Sequence, residues 1–170
     1  MPIETDFTVK NILDCEPREF IQFGNGSYAI TGLIVEIDTY KQAGIIVLRE
    51  SKPTQLFALV RLDANQMSCI SYGIGWILEL VPDSQTWPGN VIDADEKGTV
   101  RVTPTSTNLV VGEGSKGTNL QLYNLETMKI DVGTRTAGAL VQNWRIWANA
   151  ASRSRLGSEP IFEKRNSATP

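Results

Sequence analysis

The chain has 170 residues, of which 41% are hydrophobic and 21% charged, so it fits one globular domain and is not disordered throughout. Its formal net charge is −3, and we therefore expect no general attraction to nucleic acid. It contains no histidine, which excludes Ser–His and Cys–His nucleophile pairs and every His-ligated metal site.

The first twenty residues lack the basic head and apolar run of a signal peptide. The stretch without charge at residues 64–78 is too short and too polar to span a bilayer, which needs about 20 mostly apolar residues. We therefore expect a cytoplasmic protein without a membrane span.

The N-terminal segment predicts short helical structure. Asp6 and Thr8 are alternative caps for a helix that runs through Cys15, and Pro17 is a candidate start of a second turn through Phe23. Residues 24–27, with the sequence GNGS, are typical of a tight turn.

From residue 28 onward the hydrophobic pattern becomes that of short strands separated by turns. Candidate strands in the first half are residues 28–37, 44–49, 55–62, 67–72 and 76–81. In the second half, apolar and polar residues alternate at residues 99–103, 120–123 and 128–132. Such alternation predicts strands with one buried and one solvated face.

Beyond Gly133, apolar residues recur at three- and four-residue steps, which predicts an amphipathic helix at about 137–152. Residues 156–170 are predicted to be a polar, mobile tail. The sequence thus predicts an all-β fold, a mainly antiparallel barrel or sandwich of eight or nine strands, with a short N-terminal helical segment and one C-terminal α-helix. Residues 1–155 are expected to form a single domain.

Residues 112–117, GEGSKG, match the GxGxxG pattern of nucleotide-binding turns. Such a turn needs a following helix whose N-terminus holds the pyrophosphate, but the next residues, TNLQLY, alternate like a strand. We therefore predict a hairpin loop. Residues 93–98, DADEKG, resemble the start of a calcium loop, but Lys97 and Pro104 stand where two ligands are required. An acidic turn without metal or cofactor is the prediction.

Cys15 and Cys69 lie far apart and form no CxxC pair, so we predict two buried thiols, with neither a zinc site nor a disulfide. No catalytic residue is marked by the sequence. The aromatic residues considered as a platform for a small ligand are Trp87, Tyr72 and Tyr123.

Charge is unevenly distributed along the chain. Residues 1–134 carry 10 Lys/Arg and 17 Asp/Glu, whereas residues 135–170 carry 6 and 2. The C-terminal segment is therefore a candidate docking element for an acidic protein partner, for a membrane surface or for a second copy of the chain. Its candidate contact residues are Trp144, Arg145, Trp147, Arg153 and Arg155. The alternative is that it covers a sheet of its own chain.

The leading functional hypothesis is a non-catalytic protein-interaction or assembly module, with a homo-oligomer as one form of it. A β-barrel that binds a carbohydrate or an apolar small molecule is the alternative. A third hypothesis is a histidine-free enzyme that uses carboxylates such as Asp93, Asp95 and Glu96.

Overall fold

The computed structural model describes residues 6–25, 28–51, 55–83, 87–89, 96–114, 119–132 and 138–165, with only the backbone given for 25 and 87–89. These residues confirm an all-β, antiparallel fold. The strands are β1 Thr8–Asn11, β2 Phe20–Asn25, β3 Tyr28–Ile37, β4 Gln42–Glu50, β5 Leu59–Asp63, β6 Ser68–Ser71, β7 Ile77–Leu80, β8 Trp87–Gly89, β9 Val100–Val102, β10 Thr107–Glu113, β11 Asn119–Asn124, β12 Gly138–Val141, β13 Trp144–Trp147 and β14 Phe162–Lys164. A 3₁₀ turn spans Ile12–Asp14, and one α-helix, α1, spans Ala150–Ser154.

The first sheet has six strands in the order β1-β6-β2-β3-β4-β5. In a flat sheet, β5 and β6 would be four strand spacings apart, or about 19 Å. Asp63 ends β5 and Ser68 begins β6, and five residue steps reach at most about 18 Å. The sheet must therefore curl, which places one of its faces inside.

Two further sheets pack on the outside of this curled sheet. One has the order β11-β10-β9-β12-β8, and the other has the order β14-β13-β7. The Phe57 carbonyl, which precedes β5, accepts a hydrogen bond of 2.8 Å from the Gly112 N–H in β10 and so joins two of the sheets.

At β3 and β4 the first sheet is buried on both faces, and each face has its own core. Because strand side chains alternate, Ile34 and Ile45 enter the core inside the curl, while Leu33 and Ile46 enter the core between the sheets. We call these the inner core and the interlayer core. Burial on both faces explains why β3 and β4 are continuously apolar.

The N-terminal segment differs from the prediction. A helix from Asp6 or Thr8 through Cys15 is replaced by strand β1 and the 3₁₀ turn, which Asn11 caps by accepting the Leu13 N–H at 2.9 Å. The turn predicted from Pro17 through Phe23 gives way to β2, which pairs with β3 along its whole length.

The C-terminal segment requires the largest correction. The helix predicted at about 137–152 is instead the two strands β12 and β13, followed by the five-residue α1. The tail predicted from 156 onward contributes β14, which pairs with β13 and buries Phe162 in the interlayer core. Residues 166–170 lie outside the described part. No helix within the described ranges is long and apolar enough to cross a membrane.

The hairpin predicted at the GxGxxG match is confirmed, because β10 and β11 are antiparallel with Glu113 opposite Asn119. The alternating residues 128–132 do not form a strand of their own. They contribute only the single bridge between Ile130 and Tyr123.

Candidate functional site: a pair of thiols and a buried carboxylate beside a cleft

The pairing of β1 with β6 brings chemically reactive groups together. Lys10 lies directly opposite Cys69, so their side chains share the face that points into the curl. Cys15 follows the 3₁₀ turn and reaches the same place, with its Sγ 3.7 Å from the Sγ of Cys69. Both thiols are free and buried, which confirms that part of the prediction.

A buried carboxylate lies beside these thiols. Glu19 is only 3% exposed, and its Oε1 accepts hydrogen bonds from Lys10 Nζ at 2.6 Å and from the Glu16 N–H at 2.9 Å. Its Oε2 accepts a short hydrogen bond from the Ser71 hydroxyl. These contacts join β1, β6 and the segment before β2, and we call them the Glu19 network.

The Glu19 network determines the charge of its members. Burial alone would raise the pKa of Glu19, but hydrogen bonds from Lys10, Ser71 and the Glu16 N–H lower it below its ordinary value. Burial would likewise lower the pKa of Lys10, yet the contact with Glu19 raises it. The pair is therefore ionised at neutral pH.

The two thiols are not equivalent. The hydrogen bond between the sulfurs and burial raise the pKa of Cys15 far above its usual range. The hydrogen bond with Cys15 lowers the pKa of Cys69, against the opposing effect of burial. Cys15 also lies 3.8 Å from the Asn11 carbonyl, a second acceptor for its proton. Cys69 is thus the thiol that gives up its proton more readily.

A cleft opens in the wall of the curled sheet next to Cys69. β2 and β6 pair only at Ile21 with Ser71 and at Gln22 with Ile70, and beyond this point the two strands separate. The gap has a volume of about 420 Å³, and we call it the wall cleft. Its lining is mainly apolar and includes Val9, Phe23, Ala29, Ile70, Gln22, Ser68 and Cys69.

The three aromatic residues considered for ligand binding do not share a site. Trp87 begins β8 and Tyr123 lies in β11, at opposite edges of the five-stranded sheet. Tyr123 is buried, and its hydroxyl donates a short hydrogen bond to Glu113. Tyr72 follows β6 in the first sheet and packs edge-on against Phe20, with 5.6 Å between ring centroids. The structure gives Trp87 a strand position but describes none of its side chain.

Most of the residues considered for partner binding contact their own chain. Trp144 is 1% exposed, and its indole N–H donates to the Gly98 carbonyl at 2.7 Å. Three more of these residues contact the carboxylate of Glu79 in β7. This carboxylate accepts a hydrogen bond of 2.6 Å from the Trp147 indole N–H. It also lies 3.1 Å from the Arg145 guanidinium and 3.6 Å from the Arg153 guanidinium.

The two tryptophans are thus part of the protein's own core, and they do not form an exposed docking face. Arg155 is exposed at the C-terminal end of α1. Lys164 and Arg145 line a second, smaller cleft of about 310 Å³. Burial lowers the pKa of Lys164, which lies 4.0 Å from Glu96. The basic C-terminal residues therefore pair largely with acidic residues of the same chain.

Of the three carboxylates considered for catalysis, Glu96 alone lies within the described ranges. Asp93 and Asp95 lie outside them, and Glu96 is exposed and accepts a hydrogen bond from Gln142 at 2.8 Å. Within the residues that the structure describes, no group of three or more His, Cys, Asp or Glu side chains is placed to hold a metal ion.

The sequence pattern did not identify Glu19 or Glu79 as a candidate site residue. A lone carboxylate inside an apolar run, as Glu79 is in WILELV, is a usable signal for a side chain with an internal partner. Glu19 has no such signal, since it follows Arg18 in a turn.

Comparison with known proteins adds no functional information. No protein-family model matches the chain, and no curated protein and no solved structure shows significant similarity to it.

Proposed function

We propose that the chain is a non-catalytic assembly module, in which edge strand β1 of one copy pairs with β1 of a second copy. One observation carries this proposal: Val9 is 70% exposed on a strand that ends its sheet. An edge strand offers unpaired N–H and C=O groups, and proteins commonly protect such an edge with outward lysine side chains. In β1 the lysine, Lys10, turns inward to Glu19.

The apolar surface extends beyond Val9. Ile70 lies directly opposite Val9 on β6 and is half-buried, so both side chains share the outer face of the sheet. Phe7, two residues before Val9, is also partly exposed. These three residues form an apolar patch on the outer face beside the edge of β1, which among the described residues pairs with no strand other than β6.

A second copy suits this edge better than an unrelated partner. Antiparallel pairing of two identical strands is compatible with a two-fold axis, because each contact then occurs twice. Lys10 is the one charged residue of β1, and its charge is balanced by Glu19. Pairing two β1 strands therefore brings no unbalanced like charges together.

The test is the molar mass of the full chain in solution, measured by light scattering over about a hundredfold range of concentration. We expect the mass to rise from one chain to two. Val9→Lys should keep the protein monomeric, whereas Val132→Lys, at a valine that is 93% exposed elsewhere, should dimerise normally. A mass of one chain at every concentration, or equal dimerisation of both variants, would refute the proposal.

The wall cleft favours small-ligand binding as a second candidate function, because its volume of about 420 Å³ and apolar lining are typical of ligand sites. The probe is the apolar dye anilinonaphthalene sulfonate. We expect saturable binding of one dye per chain that Ser68→Trp, which fills the cleft, abolishes and Thr105→Trp, at an exposed turn, leaves intact. Absence of saturable binding by the natural chain excludes this function.

A further inference from the structure

The contact between Cys15 and Cys69 is close to the geometry of a covalent bond. Their sulfurs are 3.7 Å apart, and a disulfide bond is about 2.05 Å long, so closure needs an approach of less than about 2 Å. Cys69 is held in β6 by pairing with β1, but Cys15 lies in the connection between the 3₁₀ turn and β2. Cys15 can therefore move without breaking a strand pair.

Access to this contact is asymmetric. Both thiols are buried, with Cys69 3% and Cys15 7% exposed, but Cys69 lines the wall cleft and Cys15 does not, so the cleft is a route toward Cys69. The negative charge of Glu19 raises the pKa of Cys69 and the positive charge of Lys10, opposite Cys69, lowers it by less, so the contact with Cys15 is what favours the Cys69 thiolate. Cys69 loses its proton more readily than Cys15, adjoins a cleft and has a second thiol beside it, and these are features that redox-reactive cysteines share.

We propose that Cys15 and Cys69 form an oxidation site at which a peroxide, arriving through the wall cleft, converts the two thiols into an intramolecular disulfide. Cys69 is the attacking thiol and Cys15 the resolving thiol. This proposal does not require β1 strands to pair, although Val9 and Ile70 belong both to the apolar patch and to the wall cleft, and it assigns a modification to the inner end of the cleft.

The reaction balances with hydrogen peroxide as the oxidant. The Cys69 thiolate attacks one peroxide oxygen, an S–O bond forms and the O–O bond breaks, and the hydroxide that leaves takes up the thiol proton to become water. The Cys15 sulfur then attacks the sulfur of the Cys69 sulfenic acid. An S–S bond forms, the S–O bond breaks, and the oxygen leaves as a second water with the Cys15 proton. The two thiols lose two electrons, and one peroxide becomes two waters.

Mass spectrometry of the full chain after treatment with hydrogen peroxide tests the site. We expect the loss of two hydrogens, a peptide in which Cys15 is linked to Cys69, and recovery of both thiols with dithiothreitol. In Cys15→Ser the reaction should stop at a sulfenic acid on Cys69, which dimedone traps. In Cys69→Ser the remaining Cys15 should react at least about tenfold more slowly, because it does not line the cleft.

Two measurements keep the test decisive if a serine variant does not fold. Ser68→Trp, which fills the cleft, should slow oxidation severalfold relative to Thr105→Trp. The natural chain should also form the linked peptide faster when folded than in urea, because folding holds the sulfurs together. Oxidation that is equally fast in urea, that is unaffected by filling the cleft, or that links only different chains would overturn the proposal.

Discussion

Replacing Glu19 by glutamine removes one charge from the centre of the Glu19 network. Glu19 accepts three hydrogen bonds, from Lys10, Ser71 and the Glu16 N–H. Hydrogen bonds to charged groups contribute about 1.5–3 kcal/mol and neutral ones about 0.5–1.5, so the change costs roughly 1 kcal/mol for each bond. Glutamine also avoids the desolvation of a carboxylate, which offsets part of this cost. We expect Glu19→Gln to lower the free energy of unfolding by about 1.5–3 kcal/mol.

The chain offers a matched control at Glu36. Arg61 lies 2.6 Å from Glu36, the same distance as Lys10 from Glu19, but the Glu36 side chain is 48% exposed. An exposed ion pair contributes little because water screens it, so Glu36→Gln should cost less than about 1 kcal/mol. Urea denaturation of both variants and the natural chain at neutral pH gives the comparison.

The pH dependence gives an independent check. The folded state lowers the pKa of Glu19 below its ordinary value of 4.5. The ionised Glu19 carboxylate therefore makes its full contribution to the free energy of unfolding above pH 4.5. This contribution is lost as the pH falls through the lower pKa that Glu19 has in the folded state. The difference between the natural chain and Glu19→Gln should therefore be full at neutral pH and shrink in acid. A cost no larger than that of Glu36→Gln, or one that persists undiminished in acid, would refute the reasoning.

Three other outcomes are expected. Trp144→Ala should lower the free energy of unfolding by about 3–5 kcal/mol at every protein concentration, because this side chain is buried within its own chain; a concentration-dependent loss in urea titrations would contradict that. Gly98→Ala should destabilise more than Gly114→Ala in thermal melts, since φ is +85° and +83° respectively but a Cβ at Gly98 alone would lie 2.6 Å from the Phe57 ring. Burial of Tyr123 and the hydrogen bond that its hydroxyl donates to the Glu113 carboxylate raise the pKa of Tyr123. Tyr123→Phe should therefore leave the ultraviolet titration of the tyrosines unchanged up to about pH 11.

Local pattern was sufficient for four strands of the curled sheet, β3 to β6, and for one hairpin. The predicted strand 28–37 coincides with β3, and the alternation after the glycine-rich loop coincides with β11. At β3 and at β11, the alternation of apolar residues and the neighbouring turn residues both favour a strand, and the strand pairing in the sheet agrees with them.

The local hydrophobic pattern predicted the wrong structure where one spacing of apolar residues fits both a helix and a pair of strands. Leu140, Val141, Trp144 and Trp147 fit a helical stripe, but the same four residues also fit two strands joined at residues 142 and 143. Pairing of β12 with β9 and of β13 with β7 decides for strands, because it hydrogen-bonds the backbone while burying both tryptophans. Such pairing partners are distant in sequence and leave no local signal.

The sequence by itself determined that the chain is a β protein without histidine chemistry and that its two thiols are buried. Only the tertiary structure decided what those thiols contact. Cys15 and Cys69 are 54 positions apart, and Glu19 is 52 positions from Ser71, so their proximity depends on β1 pairing with β6. Strand order is a property of the whole sheet, and for that reason the thiol contact, the Glu19 network and the wall cleft become visible only when the sheet has formed.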